Sequence, residues 1–175
     1  MAKQLIFCVE TKKQADTDTI YIRETIKHWY KLDNQIKISI INMNSKSKYN
    51  AKDVKKQISE KQKLYTIGDT QVIFFIDTDQ YEKNPDHERE LNEISHYCNE
   101  NHFDLVWFCH NIEEVFWGHN VSDSKKVREA TAFRKKRLIE SVKIGMLSSD
   151  AIRIGVSNIM LILDKYMERN DKTEK

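Results

Sequence analysis

Gln71-Val72-Ile73-Phe74-Phe75-Ile76-Asp77-Thr78-Asp79-Gln80 is the stretch on which the reading of this chain turns. Five consecutive apolar residues, Val72 to Ile76, run straight into Asp77 and Asp79. A continuous run of β-branched and aromatic residues predicts a strand buried on both faces. Residues two apart in an extended chain share a face, so both carboxylates are expected to point the same way. Two carboxylates at the mouth of a buried strand repel unless a cation sits between them. Open α/β sheets bind ligands just beyond the carboxyl ends of their strands. Asp77 and Asp79 are therefore candidate metal ligands. The competing reading is that they open a turn or cap the next helix.

Strands and helices alternate outward from this stretch. Leu5 to Val9 is a short apolar run ending at Glu10. Ile20, Ile22, Ile26, Trp29 and Tyr30 follow at helical spacing, with Asp16, Thr17 or Asp18 as the candidate cap. Ile36 to Ile41 alternates as a strand near a sheet edge does. Ala51 to Leu64 carries a weak apolar stripe among lysines, as an exposed helix does. Tyr81 to His87 is expected to be a loop carrying the single proline, before a helical stripe of Leu91, Ile94, Tyr97 and Cys98. Phe103 to Cys109 is a fourth strand, followed by the acids Glu113 and Glu114 and a short apolar segment that Gly118 breaks. Beyond Ser122 the pattern is helical only. Ser148-Ser149-Asp150 is expected to cap a final helix with Ile152, Val156, Ile159, Met160 and Leu163 on one face, and the polar tail Glu168–Lys175 to fray. The prediction is an α/β fold: a four-stranded, parallel-type sheet flanked by helices over residues 1–120, with a helical extension, 121–175, on the same domain.

Composition narrows the classes. The chain has 175 residues, 39% hydrophobic and 32% charged, enough for one domain with a full core and too apolar for general disorder. No apolar run approaches the roughly 18 residues of a membrane span. The N-terminus leads directly into a strand, so no signal peptide is expected. Cys8, Cys98 and Cys109 are odd in number and lack zinc-type spacing, which points to a reducing cytoplasm. With four glycines and one proline, a Gly-rich phosphate loop is absent.

Three acidic positions fall at strand ends: Glu10, Asp77 with Asp79, and Glu113 with Glu114. A parallel sheet would gather them at one edge. Oxygen ligands suit Mg²⁺ or Mn²⁺ better than zinc, and an open site of that kind can polarise a phosphodiester. The other concentration of charge is Lys125–Lys143, with eight Lys or Arg against two Glu. Its members Lys125, Lys126, Arg128, Arg134, Lys135, Lys136 and Arg137 are candidate phosphate contacts for nucleic acid. Phe133 among them could stack on a base or pack in the core, and the cations could equally be a solvated face. His110 and His119 flank the acidic cluster and are candidate proton carriers or ligands.

In order, these residues resemble a Toprim domain, the metal-binding fold of topoisomerases, primases and OLD-type nucleases, and within it the RloB-like family associated with phage defence. That family opens with Glu-Gly-x-x-Thr-Glu-x-x-Tyr; this chain has Glu10, then Thr17-Asp18-Thr19-Ile20-Tyr21. Its later motif is a strand ending in Ser-Asn-Pro-x-Phe-Glu, with a Trp and a His beyond. This chain has His110-Asn111-Ile112-Glu113-Glu114, then Phe116, Trp117 and His119. Thr11 replaces the glycine, and the Pro-x-Phe-Glu element is missing as such, so either Glu113 or Glu114 answers to the family acid. The likeness spans residues 4–120 and implies a Toprim/Rossmann-like fold and a Mg²⁺- or Mn²⁺-dependent nuclease of DNA or RNA, tRNA included, working beside a partner ATPase in the cytoplasm. A homo-oligomer is compatible with it. Asp77 and Asp79 would bind metal with Glu113 or Glu114, and Glu10 would be a further ligand or the general base. Lys12 or Lys13 would face the scissile phosphate, or simply lie on a solvated loop. The alternatives are a degenerate module of this fold that binds nucleotide, nucleic acid or an ATPase without cutting, and a plain doubly wound nucleotide-binding protein.

Overall fold

The computed structural model describes residues 2–170. Five strands form one sheet in the order β2-β1-β3-β4-β5. They are β1 (Ala2–Val9), β2 (Ile36–Asn42), β3 (Gly68–Asp77), β4 (Asp104–Cys109) and β5 (Val156–Ser157). The first four are parallel, and β5 runs antiparallel to the end of β4. The helices are α1 (Asp18–Trp29), α2 (Lys52–Leu64), α3 (Pro85–Glu100), α4 (Ile112–Trp117), α5 (Lys126–Lys135) and α6 (Ile159–Leu163).

The apolar run that predicts β3 is buried on both faces because the sheet is covered on both sides. Ile73 and Phe75 join Leu5, Phe7, Val9, Val106 and Phe108 beneath α1, α4, α5 and α6. Val72, Phe74 and Ile76 join Ile6, Cys8, Trp107 and Cys109 beneath α2 and α3. Strand alternation divides each central strand between two cores. From β1 the chain crosses to β2 on one side and returns across β1 to β3 on the other. The strand order therefore reverses between β1 and β3, and their carboxyl ends flank a topological switch point. At the other end of this pair, Gly68 admits no side chain: a Cβ would lie 1.8 Å from the Ala2 carbonyl oxygen.

The C-terminal part departs from the expected helical extension. The expected final helix is instead a loop, a two-residue strand and a short helix. Gly155, at φ +77°, turns the chain so that Val156 and Ser157 can pair with Cys109 and Phe108. The Asn158 side chain extends this edge: its oxygen accepts from Trp107 N–H (3.0 Å) and its amide donates to the Leu105 carbonyl (3.0 Å). Val156, Ile159, Met160 and Leu163 are buried as their stripe suggests. The free β4 edge, invisible to local periodicity, recruits the first of them as a strand, so the sheet has five strands and not four. Ser149 caps no helix; its hydroxyl donates to the Ala151 carbonyl (2.7 Å) inside the loop. Leu147, Ile159, Met160 and Leu163 share one core with Leu5 and Phe7, so residues 121–170 complete the same domain.

Two boundaries also move. Pro85 opens α3 rather than lying in a loop, because Asn84 caps it by accepting from Asp86 N–H (3.0 Å). Glu168, Arg169 and Asn170 are held against the end of α1: Lys31 N–H donates to the Glu168 carbonyl (2.9 Å), and Asn170 N–H to that of Trp29 (2.8 Å). The rest of the expected frayed tail, 171–175, lies outside the described residues. Among the described residues no helix is long and apolar enough to cross a membrane. All three cysteines are buried free thiols.

Candidate functional site

A pocket of about 300 Å³ opens at the switch point, with Glu10, Thr17, Asp18, Asn44, Asp77 and Lys126 in its wall. Each acid arrives on a different element. Glu10 follows the last residue of β1, and its Oε1 accepts from Asp77 N–H at 2.5 Å, which ties the ends of β1 and β3 together. Asp77 ends β3, and its Oδ1 accepts from Ile112 N–H (2.9 Å) at the start of α4. Asp18 begins α1. It is spared from capping because Asp16 does that work, accepting from Thr19 N–H (3.2 Å) and Thr19 Oγ1 (2.7 Å). Glu113, in the first turn of α4, stands behind Lys126 with 1% of its surface exposed.

These four acids outnumber their cations. Lys126 Nζ is 3.5 Å from Glu113 Oε2, and neither Glu113 oxygen has a hydrogen-bond partner. Buried carboxylates without full pairing hold protons more tightly. Burial pushes Glu10 up to about 8, with Lys46 opposing and Asp18 and Asp79 adding repulsion. Burial, then repulsion from Glu113 and Asp16, pushes Asp18 up to about 7. Burial and the charges of Glu10, Asp18 and Glu113 raise Asp77 well above the usual carboxylate range. Burial also raises Glu113 against the pull of Lys126.

Asp79 goes elsewhere. The chain leaves the strand after Asp77: Thr78 N–H donates to the Phe108 carbonyl (2.9 Å) and Asp79 N–H to that of His110 (2.8 Å). Asp79 itself is left-handed, at φ +50°. The parallel carboxylates expected of an extended Asp-x-Asp do not form. Asp77 meets α4, whereas Asp79 Oδ2 pairs with Lys46 Nζ. Lys46, in the turn after β2, also donates to the Asp77 carbonyl (2.8 Å) and lies 3.7 Å from Glu90 Oε2.

Other expected site residues scatter. Lys12 and Lys13 are exposed and are not in the pocket wall; the ammonium groups near the acids are Lys46 and Lys126. Glu114 turns away from Glu113, as helical neighbours must, and meets His110: its Oε2 is 3.3 Å from Nδ1, while Nε2 contacts Glu82 Oε1 at 2.6 Å. His119 is exposed beside Trp117. Of the basic stretch, Lys126 belongs to the acid pocket, Arg128 pairs with Glu129 (2.9 Å) and Arg137 with Glu140 (2.7 Å). Lys125, Lys135 and Lys136 are exposed. Phe133 is a core residue, against Tyr21 and Phe116. Arg134 reaches a second depression of about 240 Å³ shared with Arg23, Glu24 and Lys27 of α1, where Lys27 pairs with Glu24 (3.3 Å). Asp16 and Thr19 line it too, and Asp16 accepts from Thr11 Oγ1 (2.7 Å), whose residue lines the acid pocket. The two depressions therefore adjoin.

Sequence reasoning missed Asp18 and Lys46. Asp18 occupies the acidic place in the quoted Thr-Glu-x-x-Tyr motif, a signal overridden by reading it as a cap. Lys46 carries no signal, being one of two lysines in a polar turn.

Among the described residues no group of three or more His, Cys, Asp or Glu side chains is placed so that it could hold a metal ion. The acids at the pocket are hard carboxylate-oxygen donors: Glu10, Asp18 and Asp77 line it, and Glu113 lies behind Lys126, 3.5 Å from its Nζ. Scans against protein-family models, curated proteins and solved structures find no match to this chain.

Proposed function

We propose that this chain is a Toprim-like, Mg²⁺- or Mn²⁺-dependent phosphodiesterase acting on nucleic acid. The observation that carries the reading is the meeting of Glu10, Asp18, Asp77 and Glu113 at the switch point with too little positive charge to balance them. Asp77, Asp18 and Glu113 would hold the ion, directly or through water, since Mg²⁺ keeps several waters and uses few carboxylates. The bound ion would supply Lewis-acid polarisation of the phosphate and a more acidic water.

The chain's own groups suit the remaining work. Glu10 lines the acid pocket, in the field of Lys46, with a high proton affinity, as a base working near neutrality needs. It would take the proton of the attacking water as the new P–O bond forms and the bond to the leaving sugar oxygen breaks. The leaving oxygen then takes a proton from solvent. Lys126 lines the pocket and would counter charge on the phosphoryl oxygens. In the adjoining depression Arg23 and Arg134 would hold a flanking phosphate of the same strand. Action beside an ATPase in cytoplasmic phage defence rests on the family resemblance alone.

A second reading, a binding module without cleavage, is favoured by Asp79 being taken up by Lys46. Incubation with plasmid, single-stranded DNA and tRNA, in Mn²⁺ or in chelator, separates the two. Metal-dependent cutting that Asp77→Ala abolishes is the expected result. Binding without cutting in every metal would leave only the module.

A further inference from the structure

We propose that the face made by α2 and α3 is a docking surface for a second copy of this chain, with the basic α2 of each copy laid over the acidic α3 of the other.

Charge on this face is segregated by helix. α2 carries five lysines against two acids, and α3 five acids against one arginine, in a chain whose formal net charge is only +2. The two helices lie over one face of the sheet: Val54 and Ile58 of α2 and Leu91, Ile94 and Cys98 of α3 enter the same core. Helical period sorts what stays outside. Lys52, Lys56 and Lys63 recur on the outer side of α2 and are exposed. Asp86, Glu90, Glu93 and Glu100 recur along one side of α3. Among the described residues no ion pair joins the two helices. Lys56 pairs with Glu60 (3.8 Å) and Arg89 with Asp86 (2.8 Å), each inside its own helix, while Glu90 is 3.7 Å from Lys46. Exposed pairs of this kind contribute little, so each helix presents its net charge outward.

A groove of about 530 Å³ separates the charges, lined by Ile58, Tyr97 and Phe103 between Lys55 of α2 and Glu100 of α3. A partner of one sign would be attracted by one helix and repelled by the other. A second copy carries both signs in the matching order. Both helices connect parallel strands, so they run the same way. A two-fold axis parallel to them lays each α2 on the partner's α3; an axis across them would set lysine on lysine. The face is about 20 Å on a side, at the small end of specific interfaces. The dimer is therefore weak and salt-sensitive. No residue that lines the acid pocket belongs to either helix, so the inference stands apart from the metal-site reading.

The test is the oligomeric state of the full-length chain by sedimentation velocity, with native mass spectrometry for mixtures. The parent should dimerise at low salt, and its dissociation constant should rise at least about 10-fold between 0.05 and 0.5 M salt. Lys52→Glu/Lys56→Glu and Glu93→Lys/Glu100→Lys, all at exposed positions, should each be monomeric with an unchanged circular dichroism spectrum. Mixed together they should form a heterodimer, because each reversed helix then meets its opposite. That recovery separates the paired helices from a merely damaged surface. A parent that stays monomeric at about 100 μM in low salt, a variant that dimerises as the parent does, or two folded variants that fail to associate each overturns the proposal. Loss of nucleic-acid binding in Lys52→Glu/Lys56→Glu of a monomeric parent would overturn it too, and assign the lysines to phosphates.

Discussion

Asp77 and Asp79 lie two residues apart in the chain and meet opposite electrostatic fates. Asp77 faces three other acids across a pocket and shares one lysine with them. Asp79 faces Lys46, and much of its side chain reaches water. Desolvation costs the first heavily and the second little. An acid is a ligand candidate when its charge is left unbalanced by its neighbours, whatever motif it occupies. Glu113 and Glu114 also part: one is buried behind Lys126 beside the acid pocket, the other meets His110 outside it.

The contrast breaks first on activity. Asp77→Ala should lower metal-dependent cutting of a nucleic-acid substrate by more than about 100-fold, since even outer-shell partners of a metal cost 10- to 100-fold. Glu114→Gln, by contrast, should stay within about 3-fold, because Glu114 is directed to His110 and does not line the pocket. Equal losses in both variants would mean that α4 matters as scaffold and not through Glu113.

Stability probes the same imbalance without substrate. Mn²⁺ at about 100 times its Kd should add about 2.7 kcal/mol, or about 5–10 °C of Tm for a chain of this size. Asp77→Asn should lose most of that gain and Glu114→Gln should keep it. An unchanged Tm at saturating Mn²⁺ would refute a pocket short of positive charge.

The pH response has a definite sign. Glu10 has a folded pKa raised from 4.5 to about 8 and Asp18 one raised to about 7, so the folded state binds more protons than the unfolded chain in that window. Stability in chelator should therefore be present at about pH 5 and fall as pH rises towards 8. The loss should reach about 5 °C of Tm. Mn²⁺ should flatten the curve, and Glu10→Gln should shrink the slope. A Tm that rises across the same window would show these carboxylates to be well compensated.

The smallest expected effect lies in the adjoining groove. Arg23→Glu with Arg134→Glu should weaken binding to single-stranded nucleic acid by about 10-fold and reduce its salt dependence. Lys135→Glu with Lys136→Glu, on the exposed end of α5, should do less. The reverse order would move the substrate path to the end of α5.

Much of this architecture is legible in the residues. Runs such as Leu5–Val9, Val72–Ile76 and Val106–Cys109 are apolar because their strands are covered on both faces, and their strength survives without any tertiary information. Glu10, Asp77 and Glu113 follow, because an α/β alternation brings strand ends to one edge. β5 was not legible: two residues beside a glycine carry no period, and they become a strand only because β4 has a free edge to pair with. Lys46 was not legible either, since a lysine's burial depends on what closes around it.

By itself, then, the sequence determined the alternation of strands and helices, the two-faced core and the acids at the strand ends, because hydrophobic period and strand polarity act locally. Only the tertiary structure decided which acids share a pocket and which are already paired. Charge balance is a sum over groups distant in the chain, and Glu10, Lys46, Asp77, Glu113 and Lys126 meet only once the sheet is assembled.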